Sequence, residues 1–238
     1  LTILTYSSQV SGMISNFVIA NMLTFAYPQI IRGTQTENKQ KELWKYVVLF
    51  HAIICLLVAG FLAVGEYGIN LLYVKGEFGR ESGRIMFIGS LLYLASQILL
   101  IIRDLVFRFF YAMENTKDTV TNSIVSCLIN ILLSVILAVP FGMYGVILGT
   151  IISGGVSMVM ILIRMKKLYG IEDFTRTTIE ILKNMLALCV TIISIGLIKR
   201  FLIIENNLGA ILVYGILTVM VFAASALLFK LKAIKTRL

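Results

Sequence analysis

Charge is what this sequence has least of. Asp, Glu, Lys and Arg make up 14% of its 238 residues, where a soluble domain carries about 25%. With 59% hydrophobic residues, that deficit excludes an ordinary soluble fold. Alternating segments of about ten residues, the mark of a membrane β-barrel, are missing too. Histidine occurs once, at His51, and proline twice. That inventory excludes most catalytic constellations, and no nucleophile–base pair or metal-ligand cluster is apparent. Cys55, Cys127 and Cys189 lie far apart, each inside an apolar run; such thiols frame neither a metal site nor a disulfide scaffold and read as packing residues. We therefore expect neither an enzyme nor a resident metal or cofactor. The opening LTILTYSSQV carries no Met and no signal-peptide pattern, so Leu1 is expected not to be the native start.

What is present is a series of continuous apolar runs, reflected in a mean hydropathy of +0.95. In lipid, every backbone N–H and C=O must be satisfied internally, which leaves helices. Runs of about 20 residues cross the hydrocarbon core. Seven are found, at 3–31, 44–64, 85–112, 120–140, 143–164, 181–203 and 208–229. The chain is therefore expected to be an all-α, polytopic membrane protein. A tight turn at Pro140-Phe141-Gly142 joins the fourth and fifth spans.

The net charge of +9 follows from topology rather than from nucleic-acid binding. One side of the membrane holds Arg32, Lys39, Lys41, Lys45, Lys117, Arg164, Lys166, Lys167, Arg176, Lys183 and the tail residues Lys230, Lys232, Lys235 and Arg237. The other holds Lys75, Arg80, Arg84, Lys199 and Arg200. The positive-inside rule puts the larger set in the cytoplasm, so the chain should start outside and end inside. A seven-helix receptor is argued against by short loops, and a retinal protein by the absence of lysine from 208–229. Tyr67–Tyr73 is expected to lie along the interface, and Arg164, Lys166 and Lys167 to meet anionic headgroups.

Inside the spans, polar residues stand out. Gln9, Gly12 and Asn16 fall on one face of the first span, flanked by Ser8, Ser11 and Ser15. Two readings stand: hydrogen-bonding glue between helices, or the lining of a polar cavity. Gly145, Gly149, Ser153 and Ser157 form a small-residue ridge at i+4 spacing, which admits close helix packing. Gln97 and Asn130 are single intramembrane amides, serving either a neighbouring helix or a substrate. The stretch RDLVFRFFYAMENTKD follows 18 uncharged residues, Ile85 to Ile102, about 27 Å of helix. Arg103 thus reaches the membrane boundary. Asp104 and Arg108, at i and i+4, are expected to pair, while Arg103 snorkels to headgroups. The three residues read either as interfacial anchors or as a gate or lobe contact.

Several of these stretches resemble the MurJ/MviN family, flippases of the lipid-linked peptidoglycan precursor. LLYVKGEF at 71–78 is similar to that family's "LLfxrGaF", and RFFYAMENTKDT at 108–119 to "RaFYAlgDTrTP", with Asn115 in place of Asp and Thr119 in place of Pro. NILLSVILAVPFGMYGVILGT at 130–150 resembles the family's Asn-led helix, Pro-x-Gly turn and Gly-containing next helix, and TYSSQVSGMISNFVIANMLTFAYPQI resembles its eighth helix. The family has fourteen helices with both ends cytoplasmic. The resemblance thus implies helices eight to fourteen: a C-terminal lobe (1–165) plus a final helix pair and basic tail (166–238). The eighth helix would enter from outside, in agreement with the charge count. One departure is plain. Where the family carries "aDRl..E" facing a cationic central cavity, this chain has Ser8, Gln9 and Gly12. Gln9 can donate hydrogen bonds to phosphate, but without charge assistance.

The resemblance implies a transporter of the bacterial cytoplasmic membrane, flipping a polyprenyl-pyrophosphate-linked cell-wall precursor by alternating access. Coupling to Na⁺, H⁺ or membrane potential stays open. Its partners would be the lipid-linked glycan, membrane lipids and an N-terminal lobe of the same protein. Ser8, Gln9, Gly12, Asn16, Gln97 and Asn130 are the candidate cavity residues, and Arg103, Asp104 and Arg108 the candidate gate. The last two spans, with Gly196, Gly209 and Gly215, would form a groove for the lipid tail. The alternatives are a flippase for another lipid-linked polysaccharide, a cation-coupled multidrug exporter using Asp104, and a non-transporting paralogue.

Overall fold

The computed structural model describes residues 2–75 and 78–229. Leu1, Gly76 and Glu77 of the LLYVKGEF stretch, and the basic tail Lys230, Lys232, Lys235 and Arg237 lie outside the described residues. The elements are α1 (Thr2–Ser15), a π-helical turn (Asn16–Ala20), α2 (Asn21–Thr34), α3 (Lys41–Leu72), α4 (Arg80–Ala112), α5 (Thr116–Phe141), α6 (Met143–Tyr169), α7 (Phe174–Phe201) and α8 (Asn207–Leu228). The first three run on as one rod, giving seven helices long and apolar enough to cross a membrane.

Local chemistry sets the boundaries. Gly142 ends α5 with φ of +55°, a backbone state that glycine adopts without steric cost. Asn115 caps α5: its side-chain oxygen accepts from the backbone N–H of Asp118 at 3.3 Å, satisfying one of the orphan donors of the first turn. Asn206 does the same for α8 through the N–H of Leu208 at 3.0 Å.

α3 is the hub. It packs against α4, α7 and α8 and touches α2, while α4 also packs on α1, α2 and α6. The buried core lies mainly between α3 and α4 and includes Leu43, Ile54, Leu94, Ile101, Leu105, Phe109 and Phe110. α5 stands apart. It packs on α6 and only lightly on α4, and buries just Thr119 and Asn122. That pairing uses the small-residue ridge, as its spacing suggests. A Cβ on Gly145 would lie 2.0 Å from the carbonyl oxygen of Leu137, and one on Gly149 2.8 Å from the backbone N of Ser134. Ser126 donates to the Ser153 carbonyl at 3.2 Å, and Ser157 bonds the Asn122 side chain. Apolar side chains gain little by leaving lipid for protein, so close backbones and polar pairs carry this contact.

One expectation needs correction. Tyr67–Leu72 is not a separate interfacial segment; it forms the last turns of α3, a rod of 32 residues, about 48 Å long. Tyr67 is held there by Tyr214 of α8, with ring centroids 5.7 Å apart, and by Lys199 of α7, 5.1 Å above its ring. The first span is one rod as expected, and it contains the π turn, beyond which Asn21 donates to the carbonyl of Phe17. Four residues before Pro28, whose missing N–H weakens the ladder further on, Thr24 bonds back to Ala20 at 2.8 Å.

Candidate functional site

The first helix presents two unlike faces. Ser7 and Ser11 are buried, and Ser7 donates to the Met86 carbonyl of α4 at 3.2 Å. Gly89 permits this approach: a Cβ there would lie 2.7 Å from the Ser7 hydroxyl. Ser7 is the interhelical glue here, sharing its hydroxyl with the Ile3 carbonyl of its own helix at 2.8 Å. The opposite face carries Ser8, Gln9 and Asn16, all exposed, with Gly12 facing open space. Ser8 turns back to the Thr5 carbonyl at 2.9 Å. The Gln9 and Asn16 amides have no hydrogen-bond partner among the described residues. Amides on a transmembrane helix require a protein or water neighbour, and on this face the described residues supply no protein neighbour. Asn16 also opens the π turn, a distortion frequent at functional sites.

Asn130 and the candidate gate lie elsewhere, together. A cleft of about 380 Å³ between α4 and α5 is lined by Arg103, Asp104, Phe107, Ser123, Ser126, Cys127, Asn130, Ile131 and Ser157. Within it, the Arg103 Nε and Nη2 donate to one Asp104 oxygen at 2.9 and 2.7 Å, and Arg103 also lies 5.6 Å above the Phe107 ring. Asn130 accepts from Ser134 at 3.1 Å. The Asp104–Arg108 pair expected from i, i+4 spacing is not formed. Arg108 instead lies 5.6 Å above the Tyr27 ring of α2, and Arg103 takes the carboxylate. The reason is that α4 turns Asp104 toward α5 while Arg108 meets α2. Gln97 is half-buried on α4 and joins neither group. The six candidate cavity residues thus divide into an α1 face, a cleft residue and an isolated amide.

At the end of the bundle carrying the FYAMENTKD turn, a polar network fastens three connections. Gln40 donates to the carbonyls of Tyr169 and Gly170 at 3.2 and 3.1 Å. Its oxygen accepts from Trp44 Nε1 and from the Glu172 backbone N–H, both at 3.2 Å. The Tyr169 ring meets Phe109 and Phe110 edge-on at 5.6 and 5.5 Å. Asn115 donates to Asp118 at 2.8 Å, and Asp118 pairs with Arg164 at 2.8 Å. The sequence reading missed Gln40, whose partners on the α6–α7 connection lie some 130 positions away and leave no local spacing signal. It missed His51 and Asn184 for the same reason; both are buried where α3 meets α7. No group of three or more His, Cys, Asp or Glu that could hold a metal occurs among the described residues.

Comparison with known proteins follows this geometry. No curated protein sequence matches. A solved structure described as the lipid II flippase MurJ in an inward closed conformation matches with a TM-score of 0.74 at 18% identity, over 99% of this chain and 48% of that one. At that identity the match establishes the fold, and the chain spans about half the length of the matched protein. The family model of the lipid II flippase MurJ matches residues 1–218, more than half of the sequence, so the chain belongs to the MurJ lipid II flippase family.

Proposed function

We propose that this chain is the C-terminal part of a transporter that flips a polyprenyl-pyrophosphate-linked cell-wall precursor of the lipid II type, by alternating access. The observation that carries the reading is the unpartnered polar face of α1. Gln9, Gly12 and Asn16 line a helix apolar enough to span the membrane, yet point away from the lobe that α1 packs on. In this reading an N-terminal lobe of the same protein faces them, and the space between the lobes holds the glycan-pyrophosphate head. The amides orient it by hydrogen bonding, and the cationic groups that neutralise the pyrophosphate come from the opposite lobe.

Residues 1–165 then form the lobe and residues 166–238 the final pair with its basic tail. α8 leaves an apolar groove of about 410 Å³ along Ile211, Leu212, Gly215, Ile216, Val219 and Met220, suited to a lipid tail. The chain enters from outside the cytoplasmic membrane and ends in the cytoplasm. The cleft at Arg103–Asp104 serves as the lobe contact. Asp104 is already neutralised by Arg103 at 2.7 Å, which does not favour its use as the free carboxylate of a cation-coupled exporter.

The test is a flipping assay with the full-length protein in vesicles, using a fluorescent polyprenyl-pyrophosphate glycan. Cargo movement should fall about tenfold or more in Gln9→Leu/Asn16→Leu, the loss of two hydrogen bonds to a charged group. Movement of drug cations without movement of the glycan lipid would overturn the reading.

A further inference from the structure

The chain's one histidine sits at the seam between the lobe and the last helix pair. His51 of α3 is 1% exposed, and Cys55 of α3 and Asn184 of α7 are fully buried. Asn184 Nδ2 donates one hydrogen to the Val48 carbonyl at 3.0 Å and turns the other to His51 Nδ1 at 3.4 Å. Cys55 Sγ lies 3.6 Å from the same nitrogen. The Val48 carbonyl fixes which end of the amide is the NH₂ group. His51 Nδ1 is therefore an acceptor, and the ring is the neutral Nε2–H tautomer. Asn184 Oδ1, meanwhile, is buried with no partner.

A proton added to Nδ1 reverses this arrangement. The ring then presents N–H to the NH₂ of Asn184, and Cys55 Sγ is a weak acceptor. The unpartnered Oδ1 is the acceptor a charged ring needs, but it reaches the ring only if the amide turns and gives up Val48. Among the described residues, none of the ion pairs places a carboxylate on the ring. On α7, Glu180 pairs with Lys183, and Cys189 is in electrostatic reach of Cys55. On α4, Arg103 pairs with Asp104 in the far cleft and Tyr93 is uncharged. On α2, Tyr27 lies under Arg108 and Arg32 is exposed. On α8, Tyr214 bonds the Leu202 carbonyl. None of these makes an ion pair with the imidazole.

We propose that His51 is a proton-binding site whose charge controls the docking of α7, and with it the final helix pair, on α3. The proposal does not depend on what the protein transports.

The test uses full-length protein in nanodiscs. Alkylation of buried Cys55 by N-ethylmaleimide is measured at about pH 8 and about pH 5.5, either side of the ordinary histidine range, and normalised at each pH to the SDS-unfolded protein. Normalised labelling should rise about tenfold at the lower pH as α7 loosens, and stay flat in His51→Gln. It should also stay flat in Asn184→Asp, whose carboxylate pairs with the charged ring. No rise in the native protein, or an equal rise in His51→Gln, overturns the proposal. If His51→Gln does not fold, His51→Leu replaces it, and an equal rise in that variant overturns the proposal.

Discussion

At the scale of single residues, the structure explains what Asn115 does at the start of α5. Its oxygen caps α5 while its amide holds Asp118, and the capping half needs only a side-chain oxygen. Asn and Asp are near-equal caps, and Ala costs about 1 kcal/mol. Asn115→Asp keeps the cap but sets a second carboxylate against Asp118, so it should lower the thermal midpoint in detergent, and Asn115→Ala should lower stability by about 1 kcal/mol. Glycines separate just as sharply by what surrounds them. Gly145→Ala should destabilise by about 1–3 kcal/mol, the cost of overpacking, because its Cβ would overlap the Leu137 carbonyl. Gly12→Ala, which meets nothing within 4 Å, should leave the midpoint unchanged. Asp104 shows how far residue spacing alone can be pushed. Position i+4 nominates Arg108 and position i−1 nominates Arg103. Only the direction each side chain takes, toward α5 or toward α2, decides between them.

At the scale of elements, the apolar runs announced the helices because length and hydropathy are sufficient in lipid. The Gly142 turn and the Gly145–Ser157 ridge were equally legible, since both are written in consecutive or i+4 positions. The π turn was not. Asn16–Ala20 reads NFVIA, five residues that fit an α-helix equally well, and the change of hydrogen-bond partner leaves no mark on the sequence pattern. The end of α3 escaped for a different reason: its last turns, beyond the apolar run, are held by Tyr214 and Lys199 from distant segments. A π turn is in effect one residue too many in an α-helix. Deleting Val18 should close it and keep α1 and α2 in register, so the thermal midpoint should hold or rise. If the turn is where the rod bends during transport, glycan-lipid flipping by the full-length deletion protein should fall by about tenfold or more. Unchanged flipping would assign the turn to packing alone.

At the scale of the whole molecule, the two ends of the bundle differ in charge and in how they are fastened. One end holds the Gln40, Tyr169 and Asp118–Arg164 network; the other holds the Tyr67, Lys199 and Tyr214 cluster. The orientation proposed from lysine and arginine placement is checked by thiol labelling of full-length protein in intact cells. With the native cysteines replaced, Ser82→Cys should react with a membrane-impermeant maleimide directly, and Lys39→Cys only after permeabilisation. The reverse pattern would invert the topology. The candidate site was legible in part. The α1 polar face could be read from spacing, but its separation from Asn130 and Gln97 could not, because helix order around a lobe is not contained in any one helix.

The Gln40 knot also sets a timetable for biogenesis. Its carbonyl partners, Tyr169 and Gly170, and the Glu172 N–H come 129 to 132 positions later. At about 5–20 residues per second, the ribosome delivers them roughly 7 to 26 s after Gln40 itself. For most of that interval α1–α3 are complete while the Gln40 amide at the base of α3 lacks its carbonyl partners. Closing the knot therefore waits until α6 has been made. A chain that inserted α5 and α6 upside down would leave the Gln40 amide without its carbonyl partners, with only its local bond to the Trp44 indole kept.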